Sequence, residues 1–328
     1  MTPLTLLRYL LGRIGKGVLV IAGIVVLNFF LIRIAPGDPA SVIAGQSGAG
    51  DKAYLAELRR EFGLDRPLIE QLWIYVRTVG TFDLGQSYQQ QRPVVQMIGE
   101  RLFPTLLLST VAFAVALTGG VLLGAIAAHK PASVADTVIS TAALTFYATP
   151  LFWVGVLLIL IFSVWLQWLP SVGMVTLGAT DSGWAYMLDV SKHLVLPAIT
   201  LGLFYMAVYT RLTRAAMIDV AGQDFVRSAR AKGAGELRVL CVHVLRNALL
   251  PVITFASLQA GQLVGGAVLV ETVFTWPGIG RLAFEALLGR DYNVLLGVFL
   301  CTACFVVVFN IIGDLLYVIA DPRVQLAG

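Results

Sequence analysis

Asp224-Phe-Val-Arg-Ser-Ala-Arg-Ala-Lys-Gly-Ala-Gly-Glu236 is polar, basic and helix-forming, yet long apolar segments flank it on both sides. Asp224 is placed to cap the N-terminus of a short helix, and Gly233 or Gly235 to stop it. A second helical pattern starts near Glu236, with Leu237, Leu240, Cys241, Val244 and Leu245 at helical spacing. Pro251 then opens the next apolar run. A short helix, a glycine corner and a longer helix between two membrane spans form a handle that a soluble partner can grip. Topology alone needs only a few basic residues, not two helices with an ordered corner, so the segment reads as a docking element.

The surrounding composition fixes the class. Of 328 residues 58% are hydrophobic and 13% charged, and the mean hydropathy is +0.84. Soluble domains carry about 25% charged residues, so this is a polytopic membrane protein. A pI near 9.0 would suggest nucleic acid for a soluble chain. Here the basic residues sit in loops and set topology, and no nucleic-acid partner is expected.

A span needs about 20 mostly apolar residues. Six candidates follow: roughly 15–35, 102–128, 137–166, 194–209, 249–270 and 294–320. The expected fold is therefore all-α, with six transmembrane helices and both termini on one side. Arg8, Arg13 and Lys16 precede the first span, and 211–250 holds Arg211, Arg214, Arg227, Arg230, Lys232, Arg238 and Arg246. Both therefore face the cytoplasm. The apolar run after Lys16 lacks a clean small-residue cleavage site and reads as an uncleaved span.

Three segments follow from this: 1–35, the cytoplasmic tail and first span; 36–101, a small helical extracytoplasmic insertion; and 102–328, a five-helix transmembrane core containing the loop 211–250. In the insertion, Asp51 to Phe62 reads as a helix ending at Gly63, and a second helix runs from Asp65 and Pro67 to about Val79. Pro36-Gly37-Asp38-Pro39 and Asp83-Leu84-Gly85 read as turns. A second external element, 271–293, carries a Trp276-Pro277-Gly278-Ile279-Gly280 turn before a short helix.

Motifs for chemistry are missing. There is no Walker A loop, so ATP is not expected to bind here. His129, His193 and His243 have no metal-ligand spacing, and Cys301 and Cys304 lie in an apolar run without a second pair. No cofactor and no metal is expected, and no catalytic residues. An ion-coupled carrier or channel needs ionisable groups or broken helices at mid-membrane; Arg33 and Asp314 sit near span ends and do not supply them. A membrane-embedded protease would need a catalytic pair within the spans. Gly120 with Gly124, and Gly261 with Gly265, permit close helix approach, either inside the subunit or at an interface.

Taken in order, several segments resemble the permease subunits of ATP-binding-cassette importers for peptides and nickel, of the first-permease type. These are Arg33-Ile-Ala-Pro-Gly-Asp-Pro39, Phe62-Gly-Leu-Asp-Arg-Pro-Leu68, Asp83-Leu-Gly-Gln-Ser87, Ala229-Arg-Ala-Lys-Gly233, Leu245-Arg-Asn-Ala-Leu-Leu-Pro251, Glu271-Thr-Val-Phe274, Pro277-Gly-Ile-Gly280, Arg290-Asp-Tyr292 and Asp321-Pro-Arg-Val324. The resemblance implies a multi-pass protein of the bacterial inner membrane that forms the pathway for di- or oligopeptides. It implies as partners a second homologous permease, two ATPase subunits and an extracytoplasmic solute-binding protein. Nickel, glutathione or another small solute is the alternative cargo.

By the same resemblance the ATPase-coupling residues are Asp224, Phe225, Arg227, Ala229, Arg230, Lys232, Gly233 and Glu236. Arg227, Ser228 and Ala229 stand where importers in general carry Glu-Ala-Ala, a departure the peptide and nickel branch shares. Binding-protein docking is expected at Asp38, Asp83, Trp276, Arg290 and Asp291. A pathway for peptides should be lined by small polar residues such as Ser109, Thr145, Thr149 and Asn310.

Overall fold

The computed structural model describes residues 3–34, 56, 60, 65–81, 83–178 and 182–320. The expected 51–62 helix falls almost wholly outside that set. The turn at Pro36 to Pro39, with Asp38, and the terminal Asp321-Pro-Arg-Val324 lie outside it too, as do the side chains of Arg33 and Asp314. Among the described residues the chain is helical, with one isolated bridge between Gln86 and Pro93. In order the helices are α1 (Pro3–Ile34), α2 (Leu68–Gly80), α3 (Val94–His129), α4 (Val134–Ala148), α5 (Leu151–Leu158), α6 (Gly183–Ala221) and α7 (Asp224–Ala231). There follow α8 (residues 236–266), α9 (Val268–Val273), α10 (Ile279–Leu288) and α11 (Tyr292–Ala320). Among the described residues five helices are long and apolar enough to cross a membrane, or six if the pair α4 and α5 forms one broken span.

That pair corrects the expected straight third span. The two helices meet at 106°. The cause is local: Pro150 disfavours helical backbone at the residue before it, and Thr149 is extended, at φ −83 and ψ 134. Pro150 then starts α5, accepting from the backbone N–H groups of Trp153 and Val154. α5 continues as a π-helical stretch, Ile159–Trp165.

Two further boundaries move. The fourth span is the middle of a 39-residue helix. At 1.5 Å per residue that is about 58 Å, nearly twice the hydrocarbon thickness. Arg211 and Arg214 therefore belong to α6 rather than to a loop. The fifth span starts earlier than Leu249. Helical backbone runs unbroken from Glu236 through a π-helical stretch, Val239–Leu245, into Arg246–Gly266. Pro251 lies within this run and does not open it.

The chain forms two compact units, one of residues 1–103 with 279–307 and one of 104–278 with 308–328. In the first, Val94, Ile98, Ile279, Leu282 and Val294 make the core. In the second, Leu108, Leu201, Tyr209, Val252, Phe274 and Trp276 do so. Gly120 and Gly124 let α3 close on α6 within the second unit. A Cβ on Gly120 would collide with that of Tyr209, and one on Gly124 would lie 2.7 Å from the Thr210 carbonyl oxygen. This pair serves packing inside the subunit.

Candidate coupling site

The end of α6, α7 and the start of α8 form a compact corner. Gly222 and Gln223 turn the chain out of α6; Gln223, not Asp224, is the residue preceding α7, and Asp224 takes the first helical position. There its negative charge still suits the helix N-terminus. The other end is a Schellman motif. Gly233 adopts φ +84, its N–H donates to the Arg230 carbonyl at 2.9 Å, and the Ala234 N–H donates to the Ala229 carbonyl at 3.2 Å. Left-handed backbone costs a residue with a Cβ about 1–2 kcal/mol, which explains the glycine.

One residue anchors α7. Val226 is fully buried, packed in a cluster with Met217 and Val220 of α6 and Val239, Val244 and Ala248 of α8. It is the single buried residue on that helix. Its signal in the sequence is an aliphatic residue inside an otherwise polar stretch. Across the corner Arg230 grips the Glu236 carboxylate with two donors, Nη2 to Oε1 at 2.9 Å and Nε to Oε2 at 3.3 Å. The pair thus ties α7 to the first turn of α8. Its members are about half exposed, so it fixes geometry more than it adds stability. Asp224, Phe225, Arg227 and Lys232 are exposed, and Ala229 is half-buried. Arg227 lies 3.7 Å from Asp224. The outward surface of α7 is thus mixed in charge around Phe225, on a base held by one aliphatic anchor.

A second ionic contact braces the same unit and was not anticipated. Arg214 of α6 meets Asp136 of α4 with two donors, Nε to Oδ1 at 2.5 Å and Nη2 to Oδ2 at 2.8 Å. Asp136 also accepts from the Ala132 N–H at 2.8 Å, while the Ser133 hydroxyl accepts from the Asp136 N–H at 3.3 Å. This reciprocal cap fixes the start of α4, so α6 holds the first arm of the bent pair. The pattern Ser133-x-x-Asp136 is its trace in the sequence; the partner, 78 residues away, leaves none.

The expected docking residues divide by burial. Asp83 is exposed and caps its own turn, accepting from the Gly85 N–H at 3.0 Å. Arg290 is exposed in left-handed backbone at φ +53. Asp291 is buried: it bonds the Ser87 hydroxyl, accepts from the Gln89 N–H at 3.4 Å, and caps α11 through the Val294 N–H at 3.5 Å. The Asn293 amide donates to the Gln86 carbonyl at 2.9 Å. Two segments about 200 residues apart are thereby knotted within one unit. Trp276 is 0% exposed, and its indole N–H donates to the Pro104 carbonyl at 2.9 Å. Both Trp276 and Asp291 are corrected from surface to internal bracing. Buried beside Trp276, Glu271 accepts from the Thr105 hydroxyl at 2.7 Å.

The expected pathway residues are not gathered in one place by burial. Ser109 is packed inside the second unit, and its hydroxyl meets no partner among the described residues. Thr145 and Asn310 are exposed and Thr149 half-buried. Thr145 and Thr149 donate back to the Thr141 and Thr145 carbonyls at 2.9 and 2.7 Å, just before the α4–α5 bend.

Five or six apolar spans among the described residues, with a small basic helix held between two of them, define a multi-span membrane protein. Comparison with known proteins gives that class a family. Residues 120–326 match the family described as the binding-protein-dependent transport system inner membrane component, and residues 6–109 match its N-terminal component. The chain belongs to this family of inner-membrane permeases, which are transport components rather than catalysts. It is 38% identical over 337 residues to the dipeptide transport system permease protein of Escherichia coli (strain K12), covering 98% of this chain and 99% of that one. It is 40% identical to the di/tripeptide transport system permease protein of Pseudomonas aeruginosa (strain UCBPP-PA14), with the same coverage. A putative peptide transport system permease protein of Brucella abortus (strain 2308) is 38% identical over 316 residues, 96% of this chain and 98% of that one. Among solved structures, the MetNI methionine ABC transporter in an inward-facing conformation matches with a TM-score of 0.55 at 17% identity, over 69% of this chain and 97% of the matched one. At that identity the likeness is one of fold.

Proposed function

We propose that this chain is the permease subunit of an importer for di- or oligopeptides, and that α7 is the handle by which separate ATPase subunits move it. The observation that carries the second part is the clamped corner. Val226 and the Schellman turn hold α7 in one orientation, Arg230 ties it to Glu236, and α8 continues without a break into the membrane. A push on α7 therefore reaches the fifth span through a continuous helix. The naming of full-length relatives as peptide permeases supports the cargo.

In this reading two ATPase subunits close on ATP, the coupling corners of this chain and of a second homologous permease move with them, and the spans switch the side on which the pathway opens. ATP state and pathway state then bias one another. An extracytoplasmic binding protein delivers cargo to the opposite face. The region 36–101 and the exposed Asp83 and Arg290 are the parts of this chain offered to it, with the core 102–328 forming the pathway. Both termini lie in the cytoplasm, and Thr145, Thr149 and Asn310 are the candidate lining residues.

The test is uptake of a labelled dipeptide by the assembled transporter in liposomes containing ATP. Charge reversal of Arg227 and Lys232 together should abolish ATPase association and uptake while the permease remains folded. Undiminished uptake would refute the coupling role. Import of a different solute, with peptides ignored, would keep the architecture and overturn the cargo.

A further inference from the structure

The helix α2, Leu68–Gly80, is not itself long enough to span a membrane, and none of its residues is buried. Its faces nevertheless differ. Gln71, Leu72, Tyr75, Thr78 and Val79 are half-buried. On that side Tyr75 lies beside Asn28, and its ring lies 5.9 Å from that of Phe29, both residues of α1. A neighbouring stripe is apolar and open: Ile69, Trp73 and Val76 are 76%, 67% and 37% exposed. Their spacing of four and three residues puts them in one row along the helix. Beyond the stripe come charges, with Arg77 exposed and Glu70 bonded to Arg66 at 2.8 Å.

The level at which α2 lies decides what covers this row. α1 ends at Ile34, and Asn28 and Phe29 lie within its last two turns. A helix packed against those two residues lies where the hydrocarbon gives way to headgroups. The end of α1 also leaves Leu27, Phe30 and Leu31 exposed, so a lipid-facing surface already reaches this depth. A tryptophan and exposed arginines beside an apolar row are the composition of a helix lying in the interface plane.

We propose that α2 is a membrane-surface helix, with Ile69, Trp73 and Val76 sunk among lipid headgroups and upper acyl chains. Arg66 and Arg77 flank the row at the level of the phosphates. The helix would then brace the end of the first span and set the height of the segments that follow it.

The test uses the complete transporter in lipid nanodiscs, with Cys241, Cys301 and Cys304 replaced by serine or alanine. Single cysteines at positions 69, 73, 76, 70 and 77 carry an environment-sensitive fluorophore. Labels at 69, 73 and 76 should emit to the blue and be quenched by nitroxide-bearing lipids but not by aqueous iodide. Labels at 70 and 77 should show the reverse, which also controls for intact assembly. Iodide quenching at 69, 73 and 76 would overturn the proposal. So would insensitivity to both quenchers, which would mean a protein partner covers the row; cross-linking from position 73 would tell a sibling permease from a binding protein.

Discussion

Two helix corners in the second unit are built from similar parts and behave as opposites. At the coupling corner, Gly233 turns the chain, and an arginine and a glutamate are paired in the open, about half exposed. At the corner that follows α9, Glu271 and Trp276 are fully buried, and Gly278 packs against the Glu271 carboxylate so closely that a Cβ there would collide with it. The first keeps its polar groups at the surface, available to another protein, and relies on a single aliphatic anchor. The second spends its polar groups internally, on Thr105 and on the Pro104 carbonyl. An exposed ionic corner can be altered without unfolding the chain; a buried one cannot.

The contrast is sharpened by substitutions, the largest effects coming from the buried corner. Gly278→Leu should be the most damaging, because the new side chain must displace a buried carboxylate; loss of folded permease on size-exclusion chromatography in detergent would show it. Trp276→Ala should cost about 3–5 kcal/mol, from lost burial and the cavity left behind, read as a lowered midpoint of thermal unfolding. At the coupling corner Val226→Ala should cost about 2 kcal/mol and loosen α7, seen as faster proteolysis after Arg227 and Arg230. Gly233→Ala should cost about 1 kcal/mol, from strained left-handed backbone. Arg230→Gln should leave thermal stability within error, since its pair is at the surface, yet lower transport by freeing α7 from Glu236. A large stability loss there, or none at Gly278, would erase the distinction.

Much of this was readable from the sequence, for physical reasons that also mark where reading stops. The spans stood out because lipid leaves no alternative to long apolar helices. The short helix α7 stood out because Asp224 and Gly233 punctuate it. The α4–α5 bend was written in Thr149-Pro150, but an apolar window is blind to backbone direction and ran straight through it. The extension of α6 past Tyr209 was missed because its last turns mix arginine with apolar residues and so fall below membrane hydropathy while remaining helical. Similarly, α8 was cut at Pro251 because proline usually starts or ends a helix in water, whereas within the membrane it is tolerated inside one. Trp276 and Asp291 were misplaced to the surface because a Trp-Pro-Gly turn and an Arg-Asp pair look solvent-facing. What buries them, Pro104 and Ser87, lies about 170 and 200 residues away, and no local pattern carries that contact. The Arg214–Asp136 pair escaped for the same reason.

The central claim is that α7 transmits force from an ATPase to the spans, and the most direct measurement is co-purification. The permease carrying Arg227→Glu and Lys232→Glu would be captured from membranes by a tag and the bound ATPase quantified against the unaltered chain. The account predicts a folded permease, still associated with its sibling, from which the ATPase is lost. An ATPase retained at the unaltered level would contradict it.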